Sequence, residues 1–530
     1  KNRYGIYAFF ITLIVWMITY INYGIFPFGN GNALRGDAAD QYLPMIIQFK
    51  EAILGKQSLI FNWNSAMGQD FFLNFCYYLT DPINLLIFLF PRGSESYFIT
   101  LVMPIKISIM AFTCSLFLRK MTGYNNFSIT AFSLIYSLSG FVCIYSFNII
   151  WLNGLILCPL LVVSLFDMVK TGKSGRYILY LFLSIYFNFF MALIECIFLC
   201  FAFLIAEDFK DKKRFFKNLK NFILSSILSA AMAGFILIPV IFVVAGGSSE
   251  FEIFNFSLFG SYLYTFSSML FGSQPVYYTV SMNYAPVYFS VAAGMTFIYF
   301  LGLRNVDKIL KIKISALMAI IFISTNIPFL NFIFNGLHFP IGLPNRFVYI
   351  MALAFGYCGV VALNNKDKIC WKFSSIFFLL ISAFCVLIWF AGENTGIKII
   401  NTALVLGYGL LLYLGLKRLF IWIMTLEISF SGFLYLYKTN DNTTKTAFNQ
   451  VRKIADSVSV EDYERTAFNI HDSMDISILS DNKSIDGFSS MINPNYTKLS
   501  KLGILSTRNA ILIDYLPKIM SSLLGVKAII

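Results

Sequence analysis

Two carboxylates stand three residues apart in the stretch Arg35-Gly36-Asp37-Ala38-Ala39-Asp40-Gln41-Tyr42. At a helix start this spacing turns both toward similar faces. The stretch follows an apolar run of about twenty residues that begins at Ile6, which puts it at a membrane boundary. Partial desolvation there raises the basicity of a carboxylate, so Asp37 or Asp40 can serve as a general base. Asp also supplies helix N-caps routinely, and one Asp can do both.

A second group follows: Asn62-Trp63, Gly68-Gln69-Asp70, Tyr77-Tyr78 and Asp81-Pro82-Ile83-Asn84. Aromatic rings beside carboxylates and amides suit stacking on a sugar and hydrogen bonding to its hydroxyls. An interfacial aromatic belt uses the same residue types, and both readings stay open. The candidate substrate contacts are Tyr42, Trp63, Asp70 and Tyr78, together with Asn148 and Asn153, which flank Trp151 at the start of a later apolar segment.

Charged groups inside apolar segments are costly and face a bundle interior or a cavity. Lys106 and Glu195 are such groups. Lys106 is either a counter-charge for an anionic headgroup or one half of an ion pair with Glu195. The segment His338-Phe339-Pro340-Ile341-Gly342-Leu343-Pro344-Asn345-Arg346 holds one of only two histidines. The planar fork of Arg346 suits a phosphate, while an interfacial arginine that snorkels to the surface gives the same pattern. The chain contains no Walker loop, GxGxxG, HExxH or paired metal-ligand cluster.

These residues need elements to hold them. Of the 530 residues, 58% are hydrophobic and 13% charged, and the mean hydropathy is +0.72. Soluble domains are less apolar and about twice as charged, so the chain is a polytopic membrane protein. The net charge of +13 does not mark a nucleic-acid binder, because Lys and Arg gather in short loops between apolar segments. The nine cysteines lie between Cys76 and Cys385 and form no CxxC pair. Spanning helices are predicted at 5–28, 97–118, 127–145, 146–169, 220–244, 285–303, 314–334, 346–363, 371–391, 396–416 and 419–437. The first is expected to be a retained signal-anchor, not a cleaved leader.

The stretch 177–206 is flanked by positive residues on both sides. Cytoplasmic loops carry such residues, so the chain should enter and return as two short helices turning near Asn188. A single long tilted helix is the alternative. The total is about thirteen spans, with the N-terminus inside and the regions 29–96, 246–284 and 438–530 outside. Within the first outside region, 42–54 is expected to form an interfacial amphipathic helix with Tyr42, Met45, Ile46, Phe49 and Ile53 on one face. Residues 71–90, broken at Asp81-Pro82, are expected to form a re-entrant hairpin or another interfacial helix. Residues 1–437 form the transmembrane domain. Residues 438–530, richer in Asp, Asn, Ser, Thr and Lys, begin an extracytoplasmic soluble domain, α/β or β-rich, that is expected to continue beyond Ile530. No internal repeat suggests an inverted-repeat transporter.

The ordered motifs RGDxxxQY, W-x(4)-G-x-D-F, YYLxxPxNLLxxLFP, the run 138–159, HFPIGLPNRF and GFSSMINPNY resemble the YfhO-type family of bacterial membrane proteins. The resemblance spans nearly the whole chain. It implies a GT-C fold and a membrane glycosyltransferase in the bacterial cell membrane with its active site facing outside. The implied donor is an undecaprenyl-phosphate-linked sugar, made by a separate enzyme, and the implied acceptor is a cell-surface polymer such as teichoic acid. The family motif carries its catalytic acid over to Asp37. Asp40 lies outside that motif, and Asp81 stands where a small residue is expected. Arg346, His338 or Lys106 is expected to offset the charge of the donor phosphate. No cofactor is expected, although an acidic loop can bind a divalent cation. A lipid or sugar transporter, or a non-catalytic scaffold, is the alternative function.

Overall fold

In lipid, a helix satisfies all of its backbone polar groups internally, and helices dominate this apolar chain. The computed structural model describes residues 2–246, 260–273, 287–337, 343–365, 371–391 and 394–436. Beyond these it describes 464–467, 482–491, 510–511, 516–529 and a few single positions. His338, most of 246–284 and most of 438–530 lie outside the described residues.

In chain order the helices are α1 (Arg3–Tyr23), α2 (Leu43–Ile53), α3 (Phe71–Asn74), α4 (Glu95–Thr122), α5 (Phe127–Ser137), α6 (Gly140–Tyr145), α7 (Trp151–Thr171), α8 (Gly175–Phe187) and α9 (Phe189–Ala206). They continue as α10 (Lys212–Met232), α11 (Gly234–Gly246), α12 (Tyr262–Ser267), α13 (Val291–Leu301), α14 (Lys308–Ser324), α15 (Pro328–Phe334), α16 (Ile350–Asn364), α17 (Trp371–Ala391), α18 (Thr395–Tyr413) and α19 (Lys417–Tyr435). The axis of the first half is α4, which packs against α1, α5 and α7. Close approach there depends on small residues, as in other membrane bundles. A Cβ on Gly5 of α1 would strike Ser115 of α4, and one on Gly359 of α16 would strike the Phe132 ring of α5.

Among the described residues, α1, α4, α7, α9 and α18 are each long and apolar enough to cross a membrane alone. Three further apolar stretches are sharply bent: 71–79 with 82–89 by 98°, α10 with the start of α11 by 80°, and α14 with α15 by 114°. Several expected spans are therefore broken or shorter than the apolar run that suggested them. The run 127–145 divides into α5 and α6, with the Ser139 hydroxyl capping α6 at the Val142 N–H (3.3 Å). The run 146–169 becomes helical only at Trp151.

The turn expected near Asn188 is present. Asn188 is extended (φ −162°, ψ 96°), and its side chain caps α9 by accepting the Met191 N–H at 2.8 Å. The break expected at Asp81-Pro82 is present as a 98° bend, and the Asp81 carboxylate accepts the Ile83 N–H at 3.0 Å. The interfacial helix expected at 42–54 is corrected. Leu43, Met45, Ile46, Ile47 and Phe49 of α2 are buried, and so are Gln48 and Lys50. Lys50 donates to the Phe90 carbonyl at 2.6 Å and pairs with Glu95 at 3.3 Å. Lys50 on the polar face of α2 is thus taken up by the residues at the start of α4, while Ile53 of the expected apolar face is exposed.

The first loop also carries a two-stranded ribbon, β1 (Phe61–Asn62) antiparallel to β2 (Gln69–Asp70). Near the C-terminus, β3 (Arg465–Ala467) pairs in parallel with β6 (Val526–Ile529), and β4 (Gly487–Phe488) pairs antiparallel with β5 (Ala510–Ile511). These strands sit against the first loop. Ala66 shares one apolar cluster with Ala467, Ile485, Ile511 and Leu516. The Ala66 and Met67 N–H groups donate to the carbonyls of Asp486 (2.8 Å) and Ser484 (2.9 Å).

Candidate active site

The site begins where α1 ends. Arg35 turns back into the bundle and donates to the carbonyls of Cys143 (2.7 Å) and Ile144 (2.8 Å) at the end of α6, and to the Ser146 hydroxyl (3.1 Å). A cation there satisfies the orphan carbonyls of a helix C-terminus. The RGD arginine therefore anchors the loop, and the two residues after it are delivered to a fixed place. Gly36 takes a left-handed φ of +46°, and its carbonyl receives the Ala39 and Asp40 N–H groups at 2.8 and 3.0 Å.

The next turn, Ala38–Tyr42, is π-helical. Asp37 occupies its N-cap position, yet its carboxylate makes no capping hydrogen bond. The capping role that its type and position offered is not used, and the side chain is left for other work. Burial raises the Asp37 carboxyl above its ordinary range, and the nearby Arg346 guanidinium pulls it part of the way back. Burial, with the neighbouring Asp37 charge, pushes Asp40 up to about 7. Two carboxyl groups this close resist ionising together.

Arg346 precedes α16 and is held from several sides. Its backbone N–H donates to Asn335 Oδ1 at 3.0 Å, and its Nε donates to the Leu343 carbonyl at 3.1 Å. The guanidinium lies between the rings of Trp151 (4.8 Å) and Phe190 (4.9 Å). The break at Asn188 gives α9 the start that places Phe189 against Tyr77 (5.4 Å) and Phe190 against Arg346. Tyr42 and Tyr77 are electrostatic neighbours of both Asp37 and Arg346. A clamped, delocalised cation beside a desolvated carboxylate and phenols can hold an anionic group next to a base.

The other expected site residues divide into two sets. Tyr42 donates its hydroxyl to Asn148 Oδ1 at 2.8 Å. The Asn148 Nδ2 is buried and has no partner among the described residues. Tyr78 donates to Gln41 Oε1 at 2.7 Å, and its ring is 5.8 Å from that of Tyr42. These residues lie around the Asp37 turn. Trp63, by contrast, is 51% exposed and meets Phe61 edge-on at 4.7 Å. Asp70 is exposed and caps α3 through the Leu73 N–H at 3.1 Å.

Lys106 does not pair with Glu195. It meets Asp81 Oδ2 at 2.6 Å and donates to the Ile149 carbonyl at 3.1 Å, while Asn153 Nδ2 donates to the same Asp81 oxygen at 2.9 Å. The Lys106–Asp81–Asn153 group pins the bend at Asp81 to α4 and α7. Glu195 instead bonds the Ser184 hydroxyl. The Lys106 charge is compensated within the fold, which weakens its case as a phosphate ligand. Among the described residues no group of three or more His, Cys, Asp or Glu could hold a metal ion.

Two contributors were missed in the sequence. One is the amide chain behind Arg346, in which Asn331 Nδ2 donates to Asn345 Oδ1 at 2.7 Å and Asn345 takes a left-handed φ of +60°. The density of Asn in 326–345 was the available signal. The other is the segment 484–491. Ser489 donates to Asn74 Oδ1 (2.7 Å), and the Ser490 N–H donates to the Tyr78 hydroxyl (2.8 Å). Asp475 is buried and accepts the Phe488 N–H at 2.9 Å; burial raises its carboxyl well above the ordinary range, and the Asp40 charge adds to that. Gly487 permits this approach, since a Cβ there would strike Ser65.

Fold and site together define a multi-pass helical membrane protein in which a buried acid and a ring-held cation lie within electrostatic reach of each other. The chain belongs to the family described as Bacterial membrane protein YfhO, whose profile matches residues 8–530. A comparison with curated proteins finds no match. Among solved structures the chain is similar to ArnT from Cupriavidus metallidurans bound to undecaprenyl phosphate, at 11% identity over 95% of this chain and 88% of that one, with a TM-score of 0.47. It is also similar to the arabinofuranosyltransferase AftD from mycobacteria, at 10% identity over 91% and 31% of the two chains, with a TM-score of 0.48. A mutant of AftD matches at 12% identity over 73% of this chain and 27% of that one, with a TM-score of 0.43. The chain thus spans about a quarter to a third of AftD's length.

Proposed function

We propose that the protein is a glycosyltransferase that moves a monosaccharide from a polyprenyl-phosphate donor to an extracytoplasmic cell-surface polymer, such as teichoic acid. The observation that carries the proposal is the Asp37–Arg346 pair. Here a carboxylate that caps nothing lies within electrostatic reach of a guanidinium held by the rings of Trp151 and Phe190. Asp37 takes the proton of an acceptor hydroxyl as that oxygen attacks the anomeric carbon. The new C–O bond forms as the bond from the anomeric carbon to the phosphate oxygen breaks, and the lipid phosphate leaves beside Arg346. Phosphate needs little acid help to leave, so a single base suffices. Direct displacement inverts the anomeric centre.

The Asn148 Nδ2 offers a buried donor to a sugar hydroxyl, and Tyr42 fixes the orientation of its amide. Asp40 sets the charge balance around Asp37. His338 belongs to the same motif as Arg346 and is proposed to assist it.

The test is sugar transfer by the purified protein in vesicles supplied with undecaprenyl-phosphate sugar and polymer acceptor. Asp37→Asn should lose about 10²–10⁴-fold in rate with no loss of folded protein. Undiminished transfer by Asp37→Asn and by the Asp37→Asn/Asp40→Asn double variant would end the proposal. Movement of intact donor lipid across the bilayer, without transfer, would move the protein to the transporter class.

A further inference from the structure

The opposite end of α4 holds a second cleft. Near its start, α4 touches the first loop, where the Thr100 hydroxyl accepts the Ala33 N–H at 3.1 Å. Its last turn carries Arg119 and Lys120. At 1.5 Å per residue the two ends lie roughly 30 Å apart, the thickness of a hydrocarbon core.

At this far end α4 and α7, with Arg176 from the start of α8, frame a cleft of about 420 Å³. Its rim is Arg119, Lys120, Arg176 and Asp167, and Leu116 and Leu160 form part of its apolar wall. Asp167 is the rim's one carboxylate. Lys120 Nζ reaches its Oδ1 at 3.2 Å, and Arg176 Nη1 stands 4.0 Å from its Oδ2. Arg119 donates to Asn2 Oδ1. Lys120 and Arg176 share this one carboxylate, Asp167, which leaves a surplus of positive charge at the rim. The side chains of Lys120 and Arg176 stay 56% and 78% exposed, so both can turn toward a ligand. Leu116 and Leu160 are half-buried, with a face open along the groove between α4 and α7.

We propose that this cleft binds the headgroup of an anionic glycerophospholipid, with an acyl chain lying along Leu116 and Leu160. A basic rim over an apolar groove between spanning helices suits a ligand that is anionic at one end and hydrocarbon at the other. A zwitterionic headgroup would bring its own ammonium toward Lys120 and Arg176. The site is separate from the proposed transferase centre and does not depend on that function.

The full-length protein, titrated in detergent with phosphatidylglycerol or phosphatidylcholine of matched chains, tests this by native mass spectrometry. One phosphatidylglycerol should be retained in preference to phosphatidylcholine. The Lys120→Gln/Arg176→Gln variant should bind it about thirty-fold more weakly with an unchanged melting temperature. Asp167→Asn, which frees both cations, should bind it more tightly. Equal retention of the two lipids, or undiminished phosphatidylglycerol binding by the folded double variant, overturns the proposal. Preferential capture of undecaprenyl phosphate, lost in the same variant, also overturns it and gives the cleft to the donor lipid.

Discussion

The Tyr78 hydroxyl receives the backbone N–H of Ser490 at 2.8 Å, across 412 positions of sequence. The same hydroxyl donates to Gln41 Oε1 at 2.7 Å, and Gln41 is the residue next to Asp40. The C-terminal segment thereby holds the turn that carries both candidate acids. Tyr78→Phe strands the buried Gln41 acceptor and cuts the tie to the Ser490 N–H, which is left to water. Leaving such an acceptor unpaired costs about 1–3 kcal/mol. Thermal unfolding in detergent should show that loss, and sugar transfer should fall further than stability alone explains, because the Asp37 turn shifts. Wild-type transfer by Tyr78→Phe would mean that the turn is fixed without this link.

The Asp81–Lys106 pair gives a sharper contrast. Removing one partner of a buried ion pair costs about 3–5 kcal/mol, whereas replacing both by uncharged residues is often nearly neutral. Lys106→Met should unfold well below wild type, and Asp81→Asn/Lys106→Met should recover most of the loss. If Lys106 bound the donor phosphate, the double variant would regain stability yet keep a raised donor KM. A normal KM in the stable double variant assigns Lys106 to structure.

Arg346 acts on Asp37 through charge and, as proposed, on the donor through its fork. Arg346→Gln removes the charge that lowers the Asp37 pKa, so the acid limb of the pH–rate profile should move to higher pH. Arg346→Lys keeps the charge but not the bidentate, ring-stacked geometry. It should leave the acid limb near its wild-type place while raising the donor KM. An acid limb that does not move in Arg346→Gln would uncouple Arg346 from the base.

Asp40 carries a stability signature with a definite sign. Its folded pKa of about 7 lies above the value of about 3.9 for an unfolded Asp. The fold therefore favours the protonated form. That contribution is complete below the unfolded pKa and is lost as pH rises through the folded one. Asp40→Asn, permanently neutral, should raise the melting temperature relative to wild type above about pH 7 and change it little near about pH 4. A stabilisation that is equal at both pH values would show that Asp40 is not held in its protonated form.

Local chemistry made part of this protein legible from sequence. Apolar runs marked the spanning class, and the positive residues on both sides of 177–206 placed a reversal at Asn188. Pro82 after Asp81 marked the break, because proline lacks the N–H that a continuing helix would need. Each of these features depends on a residue and its near neighbours. The tertiary structure decided the rest. On sequence the ion-pair partner of Lys106 was Glu195, and only the packing of the bend at Asp81 against α4 and α7 brought the Asp81 carboxylate to 2.6 Å instead. Asp37 had a capping position, but the π-helical turn left its carboxylate out of the cap. The polar face of α2 resembled an interfacial helix until Glu95 and the Phe90 carbonyl took up Lys50. Arg346 gained its rings from Trp151 and Phe190, far away in sequence. A charge or hydrogen bond acts over a few ångströms, and which groups come that close is set by how the helices cross, which residue type and spacing do not encode one by one.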